Sequence, residues 1–216
     1  MRVKLAIAKF LLAAISPLLS AHTSAQLAPQ QVASSALHTT IAIFADDPSR
    51  IDSWDAIFAA LRRNLPEAVA TAPSLEADPE IIRGDAIVPG LNVDKAVVVF
   101  LHGDCTLYSR SMHFPQGKAL GWVFEQKHEI QPFIHVDCTR IAQALSAQSE
   151  SMSRNQRTAA MSEALARVIL HEWIHIASQR TAHHLSGLGK AQFTVEDLIP
   201  STINHTVARN YAPRVP

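Results

Sequence analysis

Apolar residues recur at helical spacing between about Arg157 and Gln179, in a stretch that contains no Gly or Pro. The positions of its apolar stripe are Ala160, Ala164, Leu165, Val168, His171, Ile174 and His175. Because residues three and four apart share one face of a helix, this pattern predicts a long helix packed on a core. Two histidines fall inside the stripe, where an imidazole without a partner is costly.

Shorter patterns predict the strands and helices that accompany this helix. Apolar runs predict strands at Thr40–Ala45, Ala96–Leu101, Gly121–Phe124 and Ile130–Val136, and a short strand at Asp85–Val88 within a loop at 71–90. Helices are expected at Ser49–Leu65 and Thr139–Ala147. The run around Val97 is continuously apolar, which indicates a central strand. The following two strands read as a hairpin, with Pro132 placing the start of its second strand near an edge. These elements predict an α+β fold.

The long helix carries the sequence His171-Glu172-Trp173-Ile174-His175. Residues four apart on a helix point the same way, so the two imidazoles can face one metal ion. Glu172 lies about 100° further round the helix, where its carboxylate can take a proton from water without being a ligand. The alternative is a pair of core histidines bonded to backbone carbonyls. Two histidines at this spacing, with Glu after the first, favour a zinc site.

A catalytic zinc ion usually has a third protein ligand and one open position. Three residues are candidates for that ligand: His183, His184 and Glu196. His183 can reach the ion only if the helix ends soon after His175 and the chain doubles back, and the polar segment 178–181 suits such an end. Glu196 already has a simpler explanation, because Thr194 and Asp197 have the spacing of a helix N-cap and its N3 partner.

A longer segment resembles a group of small secreted bacterial zincin-like metallopeptidases. The resemblance rests on HExxH at 171–175, seven residues, His183, then Gly187 four residues on and the aromatic Phe193. It implies that His183 is the third ligand and that His171, His175 and His183 bind one Zn²⁺. It also implies a zincin-like fold, in which a small twisted mixed sheet packs on a long metal-binding helix and a substrate strand lies along the sheet edge.

The N-terminal segment has the features of a signal peptide at 1–25. Arg2 and Lys4 begin it, an apolar core follows at 10–19, and small residues precede Gln26. An uncleaved anchor is the rival interpretation. The apolar run is too short for a stable membrane span, and no second such run of about 20 residues follows. We therefore expect a periplasmic or secreted protein with a single zincin-like metallopeptidase domain at 26–216.

Composition agrees with a folded enzyme or binding domain. Apolar residues make up 48% of the chain and charged residues 18%, which is enough for a core and too little charge for disorder. The 19 basic residues balance the 19 acidic ones, and no basic patch is interleaved with aromatic residues. Nucleic acid is therefore not expected as a partner. The expected partner is a peptide or protein substrate.

Cys105 and Cys138 each follow an apolar strand. If the two strands are neighbours, the sulfur atoms come within bonding distance, and an oxidising compartment would keep the bond. The alternative is a nucleophilic Cys105 with His102 nearby. We favour the disulfide, because local His-x-x-Cys spacing does not specify a catalytic pair.

Three classes of function follow from the sequence. The favoured one is an exported zinc peptidase in which Glu172 is the general base. The second is an exported zinc-binding protein without catalysis, and the third is a structural module whose histidines belong to the core. Tyr211 and His205 are candidates for a residue that stabilises the oxyanion.

Overall fold

The computed structural model describes residues 38–87, 95–107 and 119–199. The predicted signal peptide at 1–25, together with His205 and Tyr211, lies outside these ranges. Five strands form one sheet: β1 (Thr39–Ala45), β2 (Glu80–Arg83), β3 (Lys95–His102), β4 (Gly121–Gln126) and β5 (Glu129–Asp137). Their order is β2-β1-β3-β5-β4. Among these described strands only β4 runs antiparallel, and it pairs with β5.

In the part of the chain that the structure describes, five α-helices accompany the sheet: α1 (Trp54–Thr71), α2 (Cys138–Ala144), α3 (Ser146–Ser149), α4 (Arg154–Ser178) and α5 (Val195–Leu198). Short 3-10 turns occupy Pro48–Arg50, Gly84–Ala86 and Gly187–Gly189. The expected mixture of helices with a mixed sheet is confirmed. None of the helices in the described ranges is long and apolar enough to cross a membrane.

The core lies between one face of the sheet and the two long helices. On β3, Val97, Val99 and Leu101 are buried, while the residues between them are half-buried on the opposite face. This alternation follows from the two-residue period of a strand. The buried residues of β3 share one apolar cluster with Leu61 of α1 and Leu165 of α4. The predicted central position of β3 is confirmed.

Helix α1 differs from the prediction at both ends. It begins at Trp54, because the Ser53 side chain caps it by accepting a bond from the Ala56 amide. It also continues through Pro66 to Thr71, beyond the expected end at residue 65. Proline removes one helical hydrogen bond and crowds the preceding turn. Pro66 is exposed, so water can satisfy the freed carbonyl, while the next turn gains the burial of Ala68.

The second strand also differs from the prediction. It lies at Glu80–Arg83 rather than at 85–88, and it pairs in parallel with β1, where Ile81 lies opposite Ile41. Residues 84–86 form a 3-10 turn instead, and residue 88 lies outside the described ranges. Pairing with β1 buries Ile81, and this long-range contact is not visible in the local pattern.

The predicted hairpin of β4 and β5 is confirmed. Pairing of β5 with β3 begins at Phe133, directly after Pro132. The β4–β5 ladder has a register irregularity opposite this point, between Val123 and Glu125. Pro132 therefore lies where the ladder does not require its missing amide hydrogen.

Helix α4 has a defined start and a defined end. Ser153 and Gln156 form a reciprocal capping box at its N-terminus. At its C-terminus Gln179 adopts the left-handed conformation, with φ of 51°. The Gln179 side chain accepts a bond from the Ile130 amide at 2.8 Å and donates one to the Ile130 carbonyl at 3.1 Å. The helix thus stops in the predicted polar segment, and its end is tied to β5.

The predicted disulfide between Cys105 and Cys138 is present. It joins the segment after β3 to the first residue of α2, so neighbouring parallel strands do bring the two cysteines together. Cys105 cannot be a free nucleophile, and the alternative that paired it with His102 is wrong.

Replacing both cysteines with serine is expected to lower the free energy of unfolding. The bond closes a loop over a sequence separation of 33, for which the chain-entropy account gives about 3–4 kcal/mol. Urea unfolding of the two proteins measures the difference, and thiol titration of the denatured, unreduced wild type should find no free thiol. Two reactive thiols in the wild type would contradict the bond.

Candidate metal centre

The structure brings His171, His175 and His183 together. One ring nitrogen from each lies within 4.8 Å of the other two. His171 and His175 occupy successive turns of α4 and are buried. His183 belongs to the segment after α4 and is exposed. The cluster therefore has two donors fixed in the core and a third supplied from the surface.

The rings of the cluster converge on a common point. The Nε2 atoms of His171 and His175 are 3.1 Å apart, and their ring planes are nearly perpendicular at 86°. The His183 ring lies 4.8 Å from that of His175 and 5.3 Å from that of His171, measured between centroids. Nitrogen atoms that face one another across so short a gap can all coordinate the same ion.

The outer nitrogens of the two buried rings determine their tautomers. His171 Nδ1 lies 2.6 Å from the Leu188 carbonyl oxygen, and His175 Nδ1 lies 2.6 Å from the Arg180 carbonyl oxygen. A carbonyl oxygen can only accept, so both Nδ1 atoms carry the proton in the neutral rings. Both Nε2 atoms are then lone-pair acceptors that face each other, and this repulsive contact is relieved by a cation between them.

Protonation of the rings does not supply this positive charge near neutral pH. Burial lowers the pKa of His171 from 6.5 to about 4, a shift to which the neighbouring His175 and His183 also contribute. Burial and the proximity of His175 lower the pKa of His183 as well. Near neutral pH these two rings are therefore neutral, which is the form that ligates a metal.

The segment after α4 supplies the two carbonyl acceptors. Its turn is closed by a hydrogen bond from the His184 amide to the Gly189 carbonyl at 2.7 Å. Gly187 has φ of 68°, and a side chain at Gly189 would come within 2.5 Å of the His184 ring. Leu188 is buried, which holds its carbonyl oxygen at His171. Sequence reasoning missed these acceptors, because a backbone carbonyl has no sequence signature.

Glu172 directly follows His171 on α4 and is 6% exposed. Burial raises the pKa of its carboxyl group from 4.5 to about 7. The edge strand β4 approaches it closely at Gly121, where a side-chain Cβ would lie 3.1 Å from the Glu172 Oε1 atom and 2.6 Å from Val168. Only glycine permits this approach. Sequence reasoning missed this role, although a glycine inside a strand can mark close approach of another group.

The other two candidate ligands are placed elsewhere. Within the described ranges, neither His184 nor Glu196 belongs to the three-residue cluster. The His184 ring packs on Gly189. Thr194 and Asp197 form the expected capping box at the start of α5, which accounts for the acidic residues there. Phe193 stands edge-on to His171 with ring centroids 5.3 Å apart.

The raised pKa of Glu172 predicts how the metal-free protein responds to pH. The stabilising contribution of Glu172 is complete below about pH 4.5, the pKa of its carboxyl group in the unfolded chain. It is lost as pH rises through about 7, the pKa of that group in the folded protein. Glu172→Gln cannot ionise, so the metal-free variant should be more stable than metal-free wild type above pH 8 by roughly 3 kcal/mol. Near pH 4 the difference should vanish. Urea unfolding in a chelator at both pH values tests this, and a difference independent of pH would contradict it.

Comparison with models of known families, with curated proteins and with solved structures finds no match to this chain.

Proposed function

We propose that the protein is an exported, zinc-dependent peptidase with a zincin-like fold. The observation that carries the proposal is the pair of Nε2 acceptors of His171 and His175, 3.1 Å apart beside a third imidazole. From the sequence alone, the alternative to a metal site was that the two histidines of α4 form hydrogen bonds to backbone carbonyls. The structure has those bonds, but they hold only the outer nitrogens and leave the inner ones facing each other.

The set of donors favours zinc. Three neutral imidazoles suit this ion, and three protein ligands leave a fourth position open for water or substrate, which distinguishes catalytic from structural zinc sites. Because His183 is exposed, the fourth position of such a site would face the surface, where a substrate would have access to it. Such a site would hold one ion.

We assign the role of general base to Glu172. When bound, zinc supplies a Lewis acid that polarises a carbonyl group and lowers the pKa of water towards neutrality. Glu172 accepts the proton from the attacking water and then delivers it to the leaving amine. A carboxylate whose pKa is raised by burial to about 7 is well matched to both transfers near neutral pH.

The edge strand β4 provides a surface for an extended peptide. It is the last strand of the sheet order, and among the described residues only β5 pairs with it. A peptide that added a strand to its other edge would pass Gly121, directly beside Glu172. This agrees with the substrate position that the resemblance to zincin-like peptidases implies. The disulfide agrees with export, because such bonds persist in oxidising compartments.

Replacing His183 tests which residue completes the site. His183→Ala should lower zinc content well below one ion per chain, because a three-ligand site becomes a two-ligand site. His184→Ala is the matched control, since it removes a neighbouring exposed imidazole from outside the cluster. Elemental analysis after dialysis against a weak chelator measures both. Zinc loss in His184→Ala with full retention in His183→Ala would overturn the assignment.

Replacing Glu172 separates an enzyme from a zinc-binding protein without catalysis. Glu172→Gln should keep zinc, because Glu172 is not a ligand, while hydrolysis of an unfolded protein mixture falls by roughly 10²–10⁴-fold. His175→Ala should lose both zinc and activity. Undiminished hydrolysis by zinc-loaded Glu172→Gln would refute the mechanism. Stoichiometric zinc in a wild type without any hydrolysis would favour the non-catalytic alternative.

A further inference from the structure

A second pair of histidines lies on the face of the sheet that points away from α4. His102 ends β3, and His135 is in the adjacent strand β5. Both side chains are half-buried and alternate with core residues such as Leu101 and Val136. The candidate metal centre is on the helix side of the sheet, so the two pairs occupy opposite faces.

The two rings meet edge to edge. His102 Nε2 lies 2.9 Å from His135 Nδ1, the ring centroids are 5.2 Å apart, and the ring planes differ by 5°. On its other side, His102 Nδ1 lies 3.2 Å and 3.3 Å from the two carboxylate oxygens of Asp46. A carboxylate accepts, so His102 carries its proton on Nδ1 and presents an Nε2 lone pair to His135.

Aromatic neighbours hold this arrangement in place. The Trp122 ring is nearly parallel to His135 at 5.3 Å and to His102 at 5.7 Å, and the Phe100 ring lies 5.1 Å from His135. This packing keeps the two imidazoles side by side on the surface of the sheet, so that only a rotation of each ring is needed to turn its nitrogen towards an ion. Asp46 also accepts a bond from the Gly103 amide, which fixes the carboxylate itself.

We propose that His102 and His135 form a second metal site, which binds a divalent transition metal with Cu²⁺ preferred. When two nitrogen ligands bind one ion at an N–metal–N angle of about 90°, with metal–nitrogen bonds of roughly 2.0–2.1 Å, the two nitrogens are about 2.9 Å apart. The separation of the two nitrogens already equals this span. The ion takes the place of the proton between the rings, which swing outwards so that both lone pairs point to it.

The choice of metal follows from the number and kind of donors. Copper(II) accepts square-planar or tetragonal sets of nitrogen and oxygen, and it binds a given set of such ligands more tightly than the other divalent ions of its row. Two imidazoles supply adjacent corners, and water completes the coordination. The order Asp46–His102–metal repeats the carboxylate–histidine arrangement that orients ligands in metalloproteins. With only two protein ligands, this site binds less tightly than three histidines do.

Copper binding to the full chain tests the site. Titration with Cu²⁺ should give two equivalents in the wild type and one in His102→Gln and in His135→Gln. The electron paramagnetic resonance spectrum of the second equivalent should show coupling to two nitrogen nuclei. Asp46→Asn should weaken the second equivalent without abolishing it. His128→Gln is the matched control, because that side chain is 99% exposed and lies outside the pair.

The same titration distinguishes this site from the one in α4. His175→Ala should remove the first equivalent and leave the one that depends on His102 and His135. One equivalent in the wild type, unchanged in both Gln variants, would overturn the second site and leave the proposed peptidase untouched. Two equivalents that persist in both Gln variants would overturn it as well.

Discussion

Two bonds to backbone carbonyl oxygens decide the state of the buried histidines in α4. Leu188 and Arg180 each offer an acceptor to the outer nitrogen of one ring, and this commits both inner nitrogens to lone pairs. Two lone pairs 3.1 Å apart in a buried environment are unfavourable unless a cation lies between them. The metal binding that we propose for the site therefore rests on these two hydrogen bonds as much as on the identity of the ligands.

The scaffold must hold α4 in one position for this arrangement to persist. A buried polar network joins it to α1: Arg167 donates to Asn64 at 2.9 Å and to Glu67 at 3.1 Å, and Asn64 donates to Glu163 at 2.6 Å. Such a network fixes the register of two helices more strictly than apolar packing does, because displacement would leave buried polar groups without partners. On the other side, α4 contacts β4 at a glycine, which brings Glu172 against the edge of the sheet.

The two histidine pairs show how the same residue type acquires different states. In α4 both rings are fixed as acceptors towards each other, and they meet nearly at right angles. On the opposite face of the sheet, Asp46 fixes only His102, so His135 remains able to donate to it, and the two rings lie nearly in parallel. The first arrangement favours a cation between the rings, whereas in the second a cation competes with a hydrogen bond. This difference acts together with the smaller number of ligands to give the second site the lower affinity that we propose.

The sequence by itself determined the elements whose signals are local. The long helix, the end of that helix near residue 178, the β4–β5 hairpin and the capping box at Thr194 follow from periodicity, from polar segments and from capping chemistry. The pairing of Cys105 with Cys138 also followed, because both cysteines come after strands that proved to be neighbours. The three histidines were identified by their spacing and by the family resemblance, and the structure places them together.

Only the tertiary structure decided the features that depend on partners far along the chain. Helix α1 continues through Pro66 because the turn beyond it is buried, and β2 lies at Glu80–Arg83 because β1 pairs with it there. The carbonyl acceptors of the buried histidines and the clearance at Gly121 arise where segments distant in sequence meet. Local propensity is worth less than the burial and pairing gained in such contacts, so the local patterns did not reveal them.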